Sequence, residues 1–407
     1  MIVEADAIDG LPESEKYGQD ADGDVVEDDR ERHSLDARLP AHQADGMVNP
    51  FAKLISMLTP KRRWAQFSLF TMFVVVTVLC VWLAVVVNRA HRQRDAVADI
   101  EALGGRVEYV KPDQKATEAF PKQFLRRWLP QDYFDKVQSV DFRGLQVTDA
   151  GLAHLHGLTG LVTLWLNGTQ VTDAGLAHLH GLTALQELFL SGAQVTDAGL
   201  AHLQGLTGLQ VLRLDGTHVT DDGLAHLQGL TGLATLSLSS TQITNAGLAH
   251  LHGLTGLKRL KLQGTQVTDA GLAHLKGLTG LKRLNLKGTQ VTNAGLAHLQ
   301  KLMRLERLDL TTSHVTDAGL AHLKKLTALQ ELVLSGAQIT DAGLAHLQRL
   351  TRLQVLLLNG TQITDAGLEH LQGLTGLQVL YINGTQVTEA GVAQLRQTLP
   401  KCHILGP

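Results

Sequence analysis

The motif VTDAGL first occurs at Val147 and then returns every 24 residues to the end of the chain, eleven times, without an insertion or deletion. Ile replaces the Val three times, and Asn or Glu replaces the Asp three times. A unit of 24 residues is too small to bury its own apolar face, so it has to stack on identical neighbours. This regular period predicts a solenoid and argues against a globular enzyme with one packed core.

The apolar period changes inside each unit. Leu164 and Leu166 alternate with polar or exposed positions, which predicts a strand with one buried face. Leu176, Leu179 and Leu182 then follow at a spacing of three, as on a short helix or 3₁₀ segment. We therefore expect an α/β unit in which a strand pairs with its neighbours and a short helix packs behind it.

The start of the helix can be placed at one residue. Thr172 has an equivalent Thr in all eleven units, so we predict that it is the N-cap. Asp173, the next residue, would lie at the positive end of the helix dipole. Gly175 predicts a close approach between neighbouring helices.

The pattern LxxLxLxxT followed by VTDAGLxHL resembles leucine-rich repeats, especially the subclass seen in F-box-type and bacterial repeat proteins. The resemblance covers residues 137–405. It implies a solenoid with a parallel β ladder on the concave face and short helices on the convex face. One departure is that Thr replaces the usual Asn of the turn, with Ala at Ala193 and Ala337, where we expect a looser row. We assign residues 137–407 to this domain and its C-terminal cap.

The region before the repeats begins with an acidic segment. Residues 1–50 hold 14 acidic and 4 basic side chains, within a chain of formal net charge -3. High charge with few apolar residues predicts a disordered tail over residues 1–56. Met57 opens a sequence typical of a membrane-protein start, so translation from Met47 or Met57 instead of Met1 is an alternative.

Residues 67–88 form an apolar segment that is long enough to cross about 30 Å of hydrocarbon as a helix. A basic juxtamembrane segment, 57–66, precedes it. The alternatives are a buried helix, which would rarely be apolar on every side, and a cleaved signal peptide, for which the run is long. With the span and the repeats together, the chain resembles a bacterial family of single-pass leucine-rich-repeat proteins. The flanking positive charges are balanced, and we expect the repeats to lie outside the cytoplasm.

Residues 89–136 are assigned to a linker and an N-terminal cap. Within them, 92–104 predicts a short helix with Val97, Ile100 and Leu103 on one face, and Arg106–Val110 alternates like a strand. Residues 119–136 are rich in aromatic side chains, which suits a segment that covers the open end of a solenoid.

The strand face, by which we mean the strand side chains turned away from the leucine core, is the expected binding surface. It has an apolar patch towards each end and cations in the middle, as a protein-binding face requires. We predict a protein partner that is acidic near its centre. The residues assigned to this surface are Trp165, Phe189, Arg213, Arg259, Lys261, Arg283, Lys287, Arg307, Val333, Leu357 and Tyr381.

Four other interpretations remain open, of which the weakest is a hydrolase whose site is not recognised in the sequence. The strand-face side chains could pack against one another for stability alone. The F-box-type resemblance allows an adaptor that recruits substrates to a ubiquitin ligase or a similar machine, although residues 1–66 show no second module. A structural scaffold of the cell envelope is the fourth.

Catalytic, cofactor-binding and metal-binding residues are not predicted. Ten His residues occupy one helix position, but helices about 8–10 Å apart cannot bring them around one ion. The recurring Asp and His, as in Asp173 and His178, lack a nucleophile. Asn167, Asn359 and Asn383 match a glycosylation pattern that turn chemistry explains better. The sequence pI of about 6.7 argues against nucleic acid as a partner, and we predict no small-molecule substrate.

Overall fold

The computed structural model describes residues 69–110 and 136–406. The predicted acidic tail, the basic segment and almost all of the aromatic-rich stretch 119–136 lie outside the described residues. Among those described, the repeats form the solenoid that their period predicts.

Thirteen strands form a single sheet in strict chain order within the described residues. Each strand from β2 onward pairs in parallel with the next, and residues 24 apart face each other, as Trp165 faces Phe189. Only β1 runs antiparallel, against β2, and closes the first edge. The strands are β1 Arg106–Tyr109, β2 Val137–Asp141, β3 Thr163–Trp165, β4 Glu187–Phe189, β5 Val211–Arg213, β6 Thr235–Ser237, β7 Arg259–Lys261, β8 Arg283–Asn285, β9 Arg307–Asp309, β10 Glu331–Val333, β11 Val355–Leu357, β12 Val379–Tyr381 and β13 His403–Leu405.

Behind the sheet, each unit contributes one short helix, and several continue as 3₁₀ segments such as Ala177–Leu179. Leu164 on the strand and Leu176 and Leu179 on the helix side are fully buried, so the core is a continuous column of leucine. The helices are α1 Leu69–Ala102, α2 Asp149–Ala153, α3 Asp173–Leu176, α4 Asp197–Ala201, α5 Asp221–Ala225, α6 Asn245–Ala249, α7 Asp269–Leu272, α8 Asn293–His298, α9 Asp317–Leu320, α10 Asp341–Leu344, α11 Asp365–Glu369 and α12 Glu389–Thr398.

The helix starts link neighbouring units. Thr172 is extended and its hydroxyl oxygen accepts from the Ala174 N–H at 3.3 Å, as predicted for an N-cap. Asp149 of the preceding unit accepts from the Thr172 N–H at 2.8 Å and from its hydroxyl at 2.7 Å. A Cβ on Gly175 would overlap this carboxylate, so glycine makes room for it. The acidic residue therefore bridges units, a role that helix-dipole reasoning did not predict.

The threonine in the turn after the strand bonds within its own unit. The Thr169 hydroxyl donates to the Leu166 carbonyl at 2.8 Å and does not reach the neighbouring backbone. Ala193 lacks the hydroxyl but keeps the backbone bond to the Leu190 carbonyl at 3.0 Å. The expected difference at the alanine positions is therefore the loss of one local hydrogen bond.

Helix α1 is a single helix of 34 residues, where the sequence predicted a span and a separate short helix. It is the one helix in the described residues that is long and apolar enough to cross a membrane. Its last turns belong to the core, because Ile100 is fully buried and Val97 nearly so. Leu103 remains 41% exposed, so the predicted apolar face is only partly used. At the other end, β13 is the last strand of the sheet and follows helix α12.

Candidate functional site

The strand face is built by the residues on either side of the buried leucine of each strand, and the register aligns the last residue of each strand into one row. The parallel pairing places Trp165, Phe189 and Arg213 on adjacent strands. Lys261 lies further along the same row, and Leu357 and Tyr381 are adjacent near its end. Because neighbouring strands lie about 4.8 Å apart, side chains in a row can contact one another.

An aromatic stack stands near the first end of the row. The rings of Trp165 and Phe189 lie 5.7 Å apart between centroids and are nearly parallel. The guanidinium carbon of Arg143 lies 5.4 Å from the centroid of Trp165, and that of Arg213 lies 5.4 Å from the centroid of Phe189. The four side chains form a cation–π–π–cation stack on the sheet, which we call the aromatic stack. Both rings are partly exposed.

Arg143 is held in place by an ion pair with Asp141 on β2. Its Nη2 lies 2.7 Å from a carboxylate oxygen of Asp141, and its backbone N–H also donates to that carboxylate at 2.9 Å. Hydrogen bonding to Arg143 lowers the pKa of the Asp141 carboxyl below its ordinary value. Arg143 is not among the residues that the sequence predicts for the binding surface, although the 24-residue offset from Asn167 places it in the row beside the aromatic residues.

The middle of the strand face is cationic. Arg259, Arg283 and Arg307 occupy the same position on three consecutive strands, as their spacing predicts. Lys261 and Lys287 lie in the next two rows and are also partly exposed. We call Arg259, Lys261, Arg283, Lys287 and Arg307 the cation cluster.

Carboxylates limit the cation cluster on one side. Arg307 is paired with Glu331 of the next strand, at 3.1 Å between Nη1 and Oε2. Asp309 beside it is almost fully buried and accepts from the Thr311 N–H at 2.9 Å and its hydroxyl at 2.6 Å. The Glu331 carboxylate therefore offsets part of the positive charge at the Arg307 end of the cation cluster.

The second apolar patch is smaller than the sequence predicted. Val333 is only 1% exposed and belongs to the packed surface of the sheet, so the expectation that it contacts a partner is wrong. Leu357 and Tyr381 remain partly exposed and adjacent in register. Alternation along a strand predicts which face a side chain is on, whereas its exposure depends on the neighbours that cover it.

Asparagines in the turns have structural partners. Asn167 accepts from the Ser191 N–H at 3.2 Å, and Asn359 accepts from the Asn383 N–H at 2.9 Å. These contacts bridge adjacent turns, which supports turn chemistry as the reason for the Asn-Gly-Thr triplets.

The histidine row on the helix side is bonded between units. Gln204 and His226 lie 2.8 Å apart between Nε2 and Nδ1, and three further Gln–His pairs repeat this contact. His154 instead lies 2.8 Å from the Asp99 carboxylate of α1. Asp173 is bonded to Thr196 of the next unit and not to His178. Residues 69–110 and 136–406 contain no group of three or more His, Cys, Asp or Glu placed to hold a metal ion.

Residues 325–347 match a family model described as Leucine Rich repeat. An internalin, inlF, from Listeria monocytogenes is 25% identical over 66% of this chain and 86% of that chain, with a TM-score of 0.47. Internalin C2 from the same organism is 27% identical over 51% of this chain and 84% of that chain, with a TM-score of 0.42. A TDR receptor structure is 16% identical over 67% of this chain and 47% of that chain, with a TM-score of 0.47. A comparison with curated proteins finds no match.

Proposed function

We propose that this chain is a membrane-anchored, non-catalytic leucine-rich-repeat module that binds another protein through its strand face. The aromatic stack and the cation cluster are the main contact surfaces, with Leu357 and Tyr381 as a second apolar contact. The partner is acidic where it meets the cation cluster.

The aromatic stack is the observation that carries the proposal. Trp165 and Phe189 are large and partly exposed on the sheet, although the leucine core is complete without them. Stacking between two guanidinium groups immobilises both rings before any partner arrives. Binding then costs little side-chain entropy, which favours aromatic residues as anchors of an interface.

Membrane anchoring rests on helix α1. Every side chain from residue 71 to residue 85 is exposed in the isolated chain, and most are apolar. An exposed apolar surface of this length is unfavourable in water and is satisfied by lipid. We place the span in this part of α1 and the repeats on the extracytoplasmic side.

The test is affinity capture from a membrane fraction with the purified full chain, followed by a titration against the captured protein. Replacing Arg259, Lys261, Arg283 and Lys287 together with Ala is expected to weaken that binding at least about tenfold, and to reduce its sensitivity to salt. A second variant, Trp165→Ala with Phe189→Ala, is expected to have a similar effect. The matched control, His178→Ala with His202→Ala, changes exposed side chains on the helix side and keeps full affinity.

Unchanged affinity in both strand-face variants would contradict the proposal. Envelope retention without a saturable partner would favour the scaffold, and recovery of a ubiquitin ligase or similar machine would favour the adaptor.

A further inference from the structure

A second basic surface lies outside the strand face, on the segments that lead from each helix to the next strand. In three consecutive units these segments are residues 300–307, 324–331 and 348–355, and together they hold seven Lys or Arg and two Glu. The first four equivalent segments hold no Lys or Arg and one Glu, and the two between, 252–259 and 276–283, hold five Lys or Arg. We call the six exposed cations of this region the basic edge: Lys301, Arg304, Lys324, Lys325, Arg349 and Arg352.

The fold does not require these cations. Gly205, Gly229 and Gly373 occupy the position of Lys301, Lys325 and Arg349 in other units, and a side chain there would meet nothing within 4 Å. None of the six makes an ion pair with any residue that the structure describes. A nearly identical repeat thus departs from its own pattern in three adjacent units, and six of the departures each add an exposed positive charge.

The basic edge is continuous with the cation cluster. Each segment runs directly into a strand, so Arg304 is followed by Arg307 of the cluster. Backbone bonds hold the segments side by side, as from the Glu306 N–H to the Lys282 carbonyl at 2.7 Å. The two carboxylates in the region are both engaged, Glu306 with Lys282 at 2.7 Å and Glu331 with Arg307 at 3.1 Å.

An apolar side chain lies within the basic edge. Met303 is 52% exposed and replaces the Thr found at this position in nine of the ten other units. It is the one large hydrophobic residue exposed within residues 136–406. A flexible thioether surrounded by cations suits an acidic protein segment that also carries an apolar residue.

We propose that an acidic protein segment bound on the cation cluster continues over the strand ends and is held by the basic edge. This inference rests on the proposed function and extends the interface to a surface that the strand face does not include. Its recognition is mainly electrostatic, so it raises the association rate and makes it dependent on salt.

The test uses the full chain in nanodiscs of phosphatidylcholine and a labelled poly-L-glutamate peptide as the probe. The edge variant carries Lys301→Gly, Lys325→Gly and Arg349→Gly, which restore the residue that other units of this chain already tolerate. We expect it to bind the probe about tenfold more weakly at low salt, and to lose part of the salt dependence.

A relocation variant separates the local surface from the net charge. It adds Gly205→Lys, Gly229→Lys and Gly373→Lys to the edge variant, so the total charge is that of the natural chain. The proposal expects it to bind as weakly as the edge variant. Unchanged binding in the edge variant, or full recovery in the relocation variant, overturns the proposal.

Two further measurements distinguish the remaining outcomes. If replacement of the cation cluster weakens probe binding and replacement of the basic edge does not, the basic edge takes no part in binding. The proposed function of the strand face then stands. If neither variant weakens probe binding, the proposal that the partner of the strand face is acidic is contradicted as well. Co-flotation of the nanodiscs with phosphatidylglycerol vesicles, lost in the edge variant while probe binding is unchanged, would identify a lipid surface and overturn the proposal.

Discussion

At the residue scale, Thr312 is held in a backbone conformation that favours glycine. Its φ is +54°, and the equivalent Gly216 and Gly288 have φ values of +66° and +64°. Ser240 is the other non-glycine residue in this conformation among those described. A β-branched residue is the least suited of these to the left-handed region, although the Thr312 hydroxyl gains a hydrogen bond to the Thr311 carbonyl at 2.7 Å.

Exchanging glycine and threonine at this turn tests the strain. A side chain in the left-handed region costs about 1–2 kcal/mol, and the lost freedom of a glycine offsets about 0.5–1 kcal/mol of it. We expect Gly216→Thr to lower the free energy of unfolding by about 1 kcal/mol and Thr312→Gly to raise it slightly. Urea unfolding of the full chain in detergent measures both, and a lower midpoint for Thr312→Gly would refute the strain.

The Asp141–Arg143 pair sets a pH range for the aromatic stack. The folded-state pKa of Asp141 is depressed. The stability that the ion pair contributes is therefore fully present above the unfolded pKa of Asp141, 3.8, and is lost as the pH falls through the folded-state pKa. Between pH 5 and pH 8 we therefore expect Arg143 to remain over Trp165.

Labelling the aspartate carboxyl carbons for nuclear magnetic resonance tests this pair. We expect Asp141 to titrate below 3.8, its ordinary value, and Arg143→Gln to move the midpoint upward. The Trp165 indole signal should change at the same pH as Asp141 in the natural chain. An Asp141 midpoint that does not respond to Arg143→Gln would show that another group lowers its pKa.

At the element scale, ten helix starts from α3 to α12 are joined to the preceding unit by an Asp or Asn. Asp269 accepts from the Thr292 N–H at 2.7 Å and its hydroxyl at 2.6 Å. Asn245 accepts from the Thr268 N–H at 2.9 Å, but its amide donates to the Thr268 hydroxyl. Since a threonine hydroxyl can donate or accept, these links between units form with either Asp or Asn.

Asp269→Ala removes one of these links without changing the core. The Thr292 N–H then loses its acceptor, so we expect a loss of about 1–3 kcal/mol in the free energy of unfolding. Asp269→Asn is the matched control and is expected to be nearly neutral, because two units of this chain already use Asn. Urea unfolding with hydrogen exchange at the Thr292 amide distinguishes the two variants. Equal losses of unfolding free energy in both would contradict the stabilising role of this link between units.

At the scale of the whole molecule, α1 connects the apolar segment directly to the core of the repeats. Its exposed residues 71–85 and its buried Ile100 lie in one uninterrupted helix. The Asp99–His154 contact and the β1–β2 pairing attach its end to the first unit. The end of α1 therefore packs directly against the first repeat unit.

Protease treatment of intact cells tests the membrane orientation. We expect an added protease to cleave epitope-tagged repeats at exposed turns only after it has access to the extracytoplasmic face. In Gram-negative cells this requires opening of the outer membrane, and a cytoplasmic marker protein must stay intact as the control. Repeats that are protected until the inner membrane is lysed would place them in the cytoplasm.

The sequence by itself determined the repeat, the parallel register and the rows of the strand face. A period of 24 residues without exception leaves only one way to align the strands, so Trp165 and Phe189 had to be neighbours. The Thr at each helix start was also predicted from the sequence, and its hydroxyl accepts a capping hydrogen bond from the helix backbone in five of the eleven units.

Only the tertiary structure decided the contacts that cross between units. It placed Asp149 against Thr172 and Gly175, set Arg143 over Trp165, paired Arg307 with Glu331 and buried Val333. These outcomes depend on distances and side-chain directions between units, which a one-dimensional pattern does not contain. The 24-residue period determines which residues are neighbours. The packing of the units determines which of these neighbours form hydrogen bonds or ion pairs and which become buried.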